Sequence, residues 1–140
     1  MGLIENAPIL YVLMREDVPD YQPGKALAQA NHAGTTFCID AGQVFGLNIN
    51  HFLVEPFREW VQEANGFGTC IVLGCDYAEM IRRVEIARSH NLIAGVIHDP
   101  TYPIRDGHKT HTLPIDTCAY IFGGRIDCGT ATEGLRLFKG

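Results

Sequence analysis

Apolar residues in this chain fall into short dense runs, separated by stretches whose apolar positions recur at helical spacing. Ile9-Leu10-Tyr11-Val12-Leu13-Met14 is an almost unbroken apolar run, the pattern of a strand covered on both faces. Residues 69–75, 92–98 and 118–123 repeat it, which predicts four strands. Residues 25–38 are alanine-rich, with Ala26, Ala30, Ala33 and Phe37 on one face and Leu27 beside them, and predict a helix that packs closely. Residues 51–64 predict a second helix through Phe52, Phe57, Trp60 and Val61, which Pro56 is expected to kink or divide. Asp76 caps a third helix over residues 77–90, with Met80, Ile81, Val84 and Ala87 at helical spacing and Asn91 closing it. Residues 39–50, with Gly42 and Gly46, and residues 99–114 read as loops. Gly134-Leu135-Arg136-Leu137-Phe138 is a short amphipathic tail with no assigned state.

The order β-α-α-β-α-β-β predicts one α/β domain over residues 1–140. Its β-α-β steps require right-handed crossovers. The last strand follows a loop rather than a helix, so it is expected to run antiparallel in a mixed sheet. The length of 140 residues suits a single domain that buries a core without staples. A hydrophobic share of 46% against 19% charged is that of a soluble globular chain, and no apolar run reaches the ~20 residues of a membrane span. The start, Met1-Gly2-Leu3-Ile4-Glu5, has neither a basic nor an apolar leader region, so a cytoplasmic location is expected.

Two residue counts narrow the chemistry. The one serine, Ser89, sits in no Gly-x-Ser-x-Gly elbow, which argues against the usual serine hydrolase. The five cysteines, Cys38, Cys70, Cys75, Cys118 and Cys128, are odd in number and form no Cys-x-x-Cys pair, so reduced thiols are expected rather than a disulfide scaffold or zinc ribbon. His98, Asp106, His108 and His111 lie close in sequence but lack the spacing of a zinc site. No Gly-x-x-x-x-Gly-Lys-Ser/Thr loop occurs, and Gly66-Phe67-Gly68 precedes a strand instead of following one.

The candidates for a site converge where ligands sit in open α/β sheets, at the carboxyl ends of strands. Asp99 closes the third apolar run and is placed for a catalytic carboxylate; the competing reading is a turn cap at Pro100. Lys25 stands at a helix start, against the preference of the helix dipole. Gln29 is one turn further on the same face, and His32 roughly shares that side, where a histidine satisfied against the sheet is the plainer role.

Pro23-Gly24-Lys25-Ala26-Leu27-Ala28-Gln29-Ala30-Asn31-His32-Ala33 after the first strand resembles the opening of the type 2, archaeal/eukaryotic peptidyl-tRNA hydrolases, whose first strand precedes a Gly-Lys-x-x-x-Gln-x-x-His-Ala pattern. The third strand, ending His98-Asp99, resembles that family's aspartate strand. Thr117-Cys118-Ala119-Tyr120-Ile121-Phe122-Gly123 resembles its closing strand, and residues 134–138 its C-terminal segment. The resemblance implies a three-layer α/β/α sandwich around a four-stranded mixed sheet, often a homodimer. It implies cleavage of the ester between peptide and tRNA, with Lys25, Asp99 and Thr117 catalytic and no cofactor or metal. Gln29, His32, Thr101, Arg105 and Lys109 would bind substrate. The chain departs from the family after the aspartate, where Pro100-Thr101-Tyr102-Pro103 replaces Ala-Gly-Arg-Thr, and in a longer loop and an insertion near 40–50.

Two other readings stay open: a non-catalytic module of the same fold that binds a nucleotide or protein, and a hydrolase of another acyl ester or amide. Charge bears on the choice. Eleven Lys and Arg against 16 Asp and Glu give −5, with a pI near 5.6. Such a balance confines any tRNA contact to a small basic rim, expected from Arg15, Lys25, Arg105 and Lys109 with His108 and His111.

Overall fold

The computed structural model describes residues 5–140; the expectation of no leader, drawn from Met1–Glu5, lies outside them as far as Ile4. The apolar run becomes β1 (Pro8–Arg15), the central strand of a five-stranded sheet ordered β3-β4-β1-β2-β5. β1 pairs in parallel with β2 (Cys70–Cys75) and antiparallel with β4 (Lys109–Gly124), so the sheet is mixed, as the chain order requires. β3 (Ile93–Asp106) and β5 (Arg136–Leu137) are the edges. The expected four strands are thus five. The amphipathic tail adds the last, pairing Leu137 with Leu73 and Arg136 with Gly74.

The first helix, α1 (Pro23–Leu47), is much longer than the sequence pattern suggested. Residues 39–50 were expected to be a loop because of Gly42 and Gly46, yet both glycines face open space and only lower helix propensity. What extends the helix is its buried face, where Ala26, Gln29, Ala33, Phe37 and Ala41 recur every three to four residues. Pro23 occupies its first position, where a missing N–H is harmless. The second helix, α2 (Val54–Gln62), carries Pro56 in its first turn. The proline therefore neither kinks nor divides it, since no N–H there has a helical partner. The third helix, α3 (Tyr77–Ser89), starts as expected, with Asp76 Oδ1 accepting from Glu79 N at 2.8 Å. Asn91 follows in a left-handed conformation, φ 60°. A short helix, α4 (Gly129–Thr132), completes the set and was not foreseen.

Residues 99–114, expected to be a loop, form a two-stranded arm. β3 and β4 run past the sheet, paired from Tyr102/Leu113 to Asp106/Lys109. Gly107 has φ 61° at the first position of the Gly107-His108 turn, which is the glycine requirement of a type II′ hairpin. Pro100, Pro103 and Pro114 disguise this arm in the sequence, but proline is tolerated where a strand has a free edge.

The core is anchored by aromatics. Phe37 is fully buried and stacks on Phe122 of β4 at 4.7 Å between centroids, with Trp60 at 5.5 Å, Tyr120 at 5.6 Å and Phe57 at 5.7 Å. Trp60 Nε1 donates to the Thr69 carbonyl at 2.7 Å. A Cβ on Gly68 would fall 2.3 Å from the indole, and φ is +61°, so only glycine fits under Trp60. The residue after Phe122 faces other elements: a Cβ on Gly123 would meet Leu92 and the Cys128 sulfur. Among the described residues no helix is long and apolar enough to cross a membrane.

The thiols differ sharply in environment. Cys75, Cys118 and Cys128 are buried, and burial first of all pushes each thiol up to about 12. Cys38 and Cys70 are exposed. Under native conditions a thiol reagent is expected to modify Cys38 and Cys70, with the other three reacting only on unfolding. Mass spectrometry of labelled peptides checks this.

Candidate active site

Two irregularities in the β3/β4 ladder create the site. The register shifts between Ile97 and His98 and again between Asp99 and Tyr102. Ile97 pairs with Cys118 but His98 pairs with Asp116, leaving Thr117 as the extra residue of a bulge. Thr117 therefore turns towards α1, and its hydroxyl meets Gln29.

The hydrogen bonds have one consistent direction. The Asp99 carboxylate only accepts, so the Gln29 side chain must present its NH2 to it; Nε2 donates to Asp99 Oδ2 at 2.8 Å. That leaves Gln29 Oε1 facing Thr117, whose hydroxyl donates to it at 2.6 Å. The other Asp99 oxygen accepts from the Thr101 backbone N–H at 2.8 Å. Gln29 and Thr117 are buried, at 5% and 2% exposure, and a buried amide is left satisfied only while both partners stay. A chain of bonds from Thr117 through Gln29 to Asp99 thus links β4, α1 and β3.

Asp99 also lines an open cleft of about 480 Å³ with His32, Thr35, Thr36, Ile97 and Pro100. His32 is exposed there, not buried against the sheet as its place in the sequence suggested. The Cys118 thiol donates to the Gln29 carbonyl at 3.4 Å, and a thiol held near 12 by burial is no nucleophile at neutral pH.

Lys25 lies on the closed side of Gln29. Together with Gln29, Thr117, Tyr21 and Tyr102 it surrounds a cavity of only about 10 Å³. Its ammonium is 2.8 Å from Asp20 Oδ2, 3.1 Å from the Asp20 carbonyl and 2.6 Å from the Pro103 carbonyl. An ammonium has three donors, and all three are engaged. Asp20 Oδ2 also accepts from the Arg105 backbone N–H at 2.7 Å. Lys25 and Asp20 therefore fasten the arm, at Pro103 and Arg105 in its outer half, to the start of α1. Sequence reasoning overlooked Asp20; a carboxylate five residues before a helix-start lysine was the available signal.

The hydrogen bond from Lys25, followed by that from the Arg105 N–H, lowers the Asp20 carboxyl below its ordinary value of 3.8. A carboxyl lowered in the folded state contributes stability above its unfolded value and loses it as pH falls through the folded one. The arm's fastening is thus full above about pH 4 and released in more acid solution. Loss of the folded-state position of the Arg105 amide signal below that range, while core signals such as Ile121 persist, is the expected NMR result. Asp20→Asn is expected to give the same arm signature at neutral pH.

The remaining sequence candidates stand apart. Arg105 and Lys109 lie out along the arm, with exposed side chains. His111 Nε2 is 3.6 Å from Asp106. Arg15 pairs with Asp17 at 2.9 Å, donates to the Asp116 carbonyl at 2.8 Å and lies over the Tyr77 ring. His98 Nδ1 is 2.9 Å from Asp116 Oδ1, and Tyr77 donates to Asp116 Oδ2 at 3.0 Å. The rim expected to be basic therefore interleaves Arg15, Lys25, Arg105 and Lys109 with Asp17, Asp20, Asp106 and Asp116. Among the described residues no group of three or more His, Cys, Asp or Glu is placed to hold a metal ion.

No family model matches the chain, and no curated sequence matches it. A similar solved structure is a protein of unknown function from Agrobacterium tumefaciens strain C58, 11% identical, with 95% of this chain and 98% of that one covered and a TM-score of 0.47. A likeness at that level carries no argument about this chain.

Proposed function

We propose that the chain is a hydrolase that directs water held at Asp99 onto an acyl ester in the open cleft, with the peptide ester at a tRNA 3′ end as the substrate. One observation carries the reading. Gln29, Asp99 and Thr117, distant in sequence and all within the segments that resemble the type 2 peptidyl-tRNA hydrolases, form one network that meets an open cleft at Asp99. Asp99 takes the proton as water adds to the carbonyl, and returns it to the departing ribose oxygen. Gln29 and Thr101 hold the carboxylate in place from two sides, and Thr117 holds Gln29. Lys25 is the oxyanion donor of the proposal, a role that requires its side chain to leave the Pro103 carbonyl and turn past Gln29 into the cleft. The three-layer α/β/α sandwich belongs to the same proposal, supported by Phe122 meeting α1 while neighbouring Gly123 meets the segment of Cys128.

A second reading, a binding module without turnover, is favoured by the full engagement of the Lys25 ammonium and by the mixed charge of the rim. Deacylation of labelled peptidyl-tRNA, run beside a small N-acyl amino-acid ester, separates the readings. Release of peptide from tRNA supports the proposal. Cleavage of the small ester alone removes tRNA as substrate, and binding with no cleavage of either leaves the module.

A further inference from the structure

The Tyr120 ring lies over Gly95, where a Cβ would come within 2.9 Å of it, and its hydroxyl donates to Asp40 Oδ2 on α1. This partition separates the Asp99 cleft from a second open cleft, also of about 480 Å³. The second cleft lies between the later part of α1, the end of α3 and the start of β3. Val44, Leu47, Leu92 and Ile93 give it an aliphatic lining. Two side chains of opposite charge border it. Asp40 comes from α1; Tyr120 occupies its Oδ2, and a carboxylate accepts on both oxygens, so Oδ1 has no partner among the described residues. Arg88 comes from the last turn of α3, and its Nε donates to the Ala94 carbonyl at 3.0 Å. That bond orients the guanidinium and leaves both its NH2 groups without a protein partner among the described residues. The two charges form no ion pair with each other. They are nevertheless near enough to act on one group. Burial first, then Asp40, raises the Tyr120 hydroxyl, and Arg88 lowers it.

We propose that this cleft binds a free aliphatic α-amino acid, with its ammonium on Asp40, its carboxylate on Arg88 and its side chain on the Val44 and Leu92 lining. A carboxylate and a guanidinium that border one cleft without meeting are both satisfied by a ligand carrying the two complementary charges close together. An α-amino acid has both on one carbon. A simple anion or cation would gain one partner and face one like charge. A nucleobase would need a ring to stack on, and the rings at this cleft are engaged. Tyr120 lies over Gly95 and packs on Phe37, and His51 stacks on Phe52 at 5.0 Å with Phe45 at 5.8 Å. A few polar groups converging on an apolar wall are the usual make-up of a small-ligand site. The inference goes beyond the hydrolase reading and does not rest on it, because the Tyr120 partition sets this cleft apart from Asp99.

The test is an NMR titration of the full 15N-labelled chain with L-leucine. Amide signals of Val44, Leu92 and Ala94 are expected to shift with a millimolar Kd, while those of Thr36 and Asp99, at the other cleft, stay in place. N-acetyl-leucine lacks the ammonium and leucinamide lacks the carboxylate; each is expected to bind at least about tenfold more weakly. Glycine, which has no side chain to bury, is expected to weaken by a similar factor, about tenfold. Asp40→Asn keeps an oxygen for the Tyr120 hydroxyl and removes the charge, and Arg88→Gln changes an exposed side chain. Each is expected to weaken leucine binding about tenfold with the core amide signals unmoved. Absence of shifts at Val44, Leu92 and Ala94, with leucine well above millimolar, overturns the proposal. So do shifts that N-acetyl-leucine or leucinamide reproduces in full, shifts centred on Thr36 and Asp99, and binding indifferent to both variants. Glycine binding as tightly as leucine overturns the aliphatic assignment.

Discussion

Asp99→Asn is expected to lower turnover of the acyl ester at least about a hundredfold while leaving the fold intact. The carboxylate accepts from Gln29 on one oxygen and from the Thr101 N–H on the other. Asparagine offers one accepting oxygen only, so its NH2 would face the Gln29 NH2 if its oxygen keeps Thr101. Gln29 resolves that conflict by turning its amide over. Its oxygen then accepts from Asn at 99, and its nitrogen donates to Thr117, whose hydroxyl turns to the Ile97 carbonyl, now 3.5 Å away. Every buried polar group stays paired, so the melting temperature is expected to change little, while the proton acceptor is gone. Unchanged turnover would sink the role given to Asp99. A large loss of stability would show that Gln29 is locked in its present orientation.

Phe37→Ala has the largest expected effect on folding, a loss of about 3–5 kcal/mol read from the urea midpoint. Phe37 has no solvent exposure and joins α1 to both α2 and the sheet through Phe57, Trp60, Tyr120 and Phe122. Its truncation removes apolar area and leaves a cavity bordered by rigid rings, which collapse poorly. Gln29 lies two turns earlier on the same helix, about 12 Å away. A loosened seat for α1 is therefore expected to raise hydrogen exchange in its second half before the Asp99 network fails. A loss below about 1 kcal/mol would mean that the ring cluster is not packed as described.

The sequence pattern located the core strands and missed what departs from regular repeats. β1, β2 and α3 lie within a residue or two of their expected bounds, because dense apolar runs and an Asp cap are local signals. The second half of α1 was hidden by two glycines that face open space and so contribute nothing against the helix beyond propensity. The arm was hidden by its prolines and, in its β4 half, by exposure of residues 109–114 on both sides, which erases the alternation that marks a strand. The segments holding Gln29, Asp99 and Thr117 were legible through resemblance. Their meeting was not, because it depends on a bulge whose register is a matter of pairing between strands and not of either strand's composition. Asp20 was legible only in part: its spacing from Lys25 was a local signal, but its other partner, Arg105, lies on an arm that read as a loop.

Strands sort their side chains by odd and even numbers, and the bulge at Thr117 resets that count. Phe122 is held to α1 by Phe37, which fixes the numbering of the last six residues of β4. One residue inserted between Thr117 and Phe122 would carry the hydroxyl to the opposite side of the sheet and strand Gln29, however conservative the insertion looked. Paired insertions further out, between Asp106 and Lys109, would only lengthen the arm. The chain can therefore vary freely in the reach of its arm, and hardly at all in the short stretch that ties the bulge to the core.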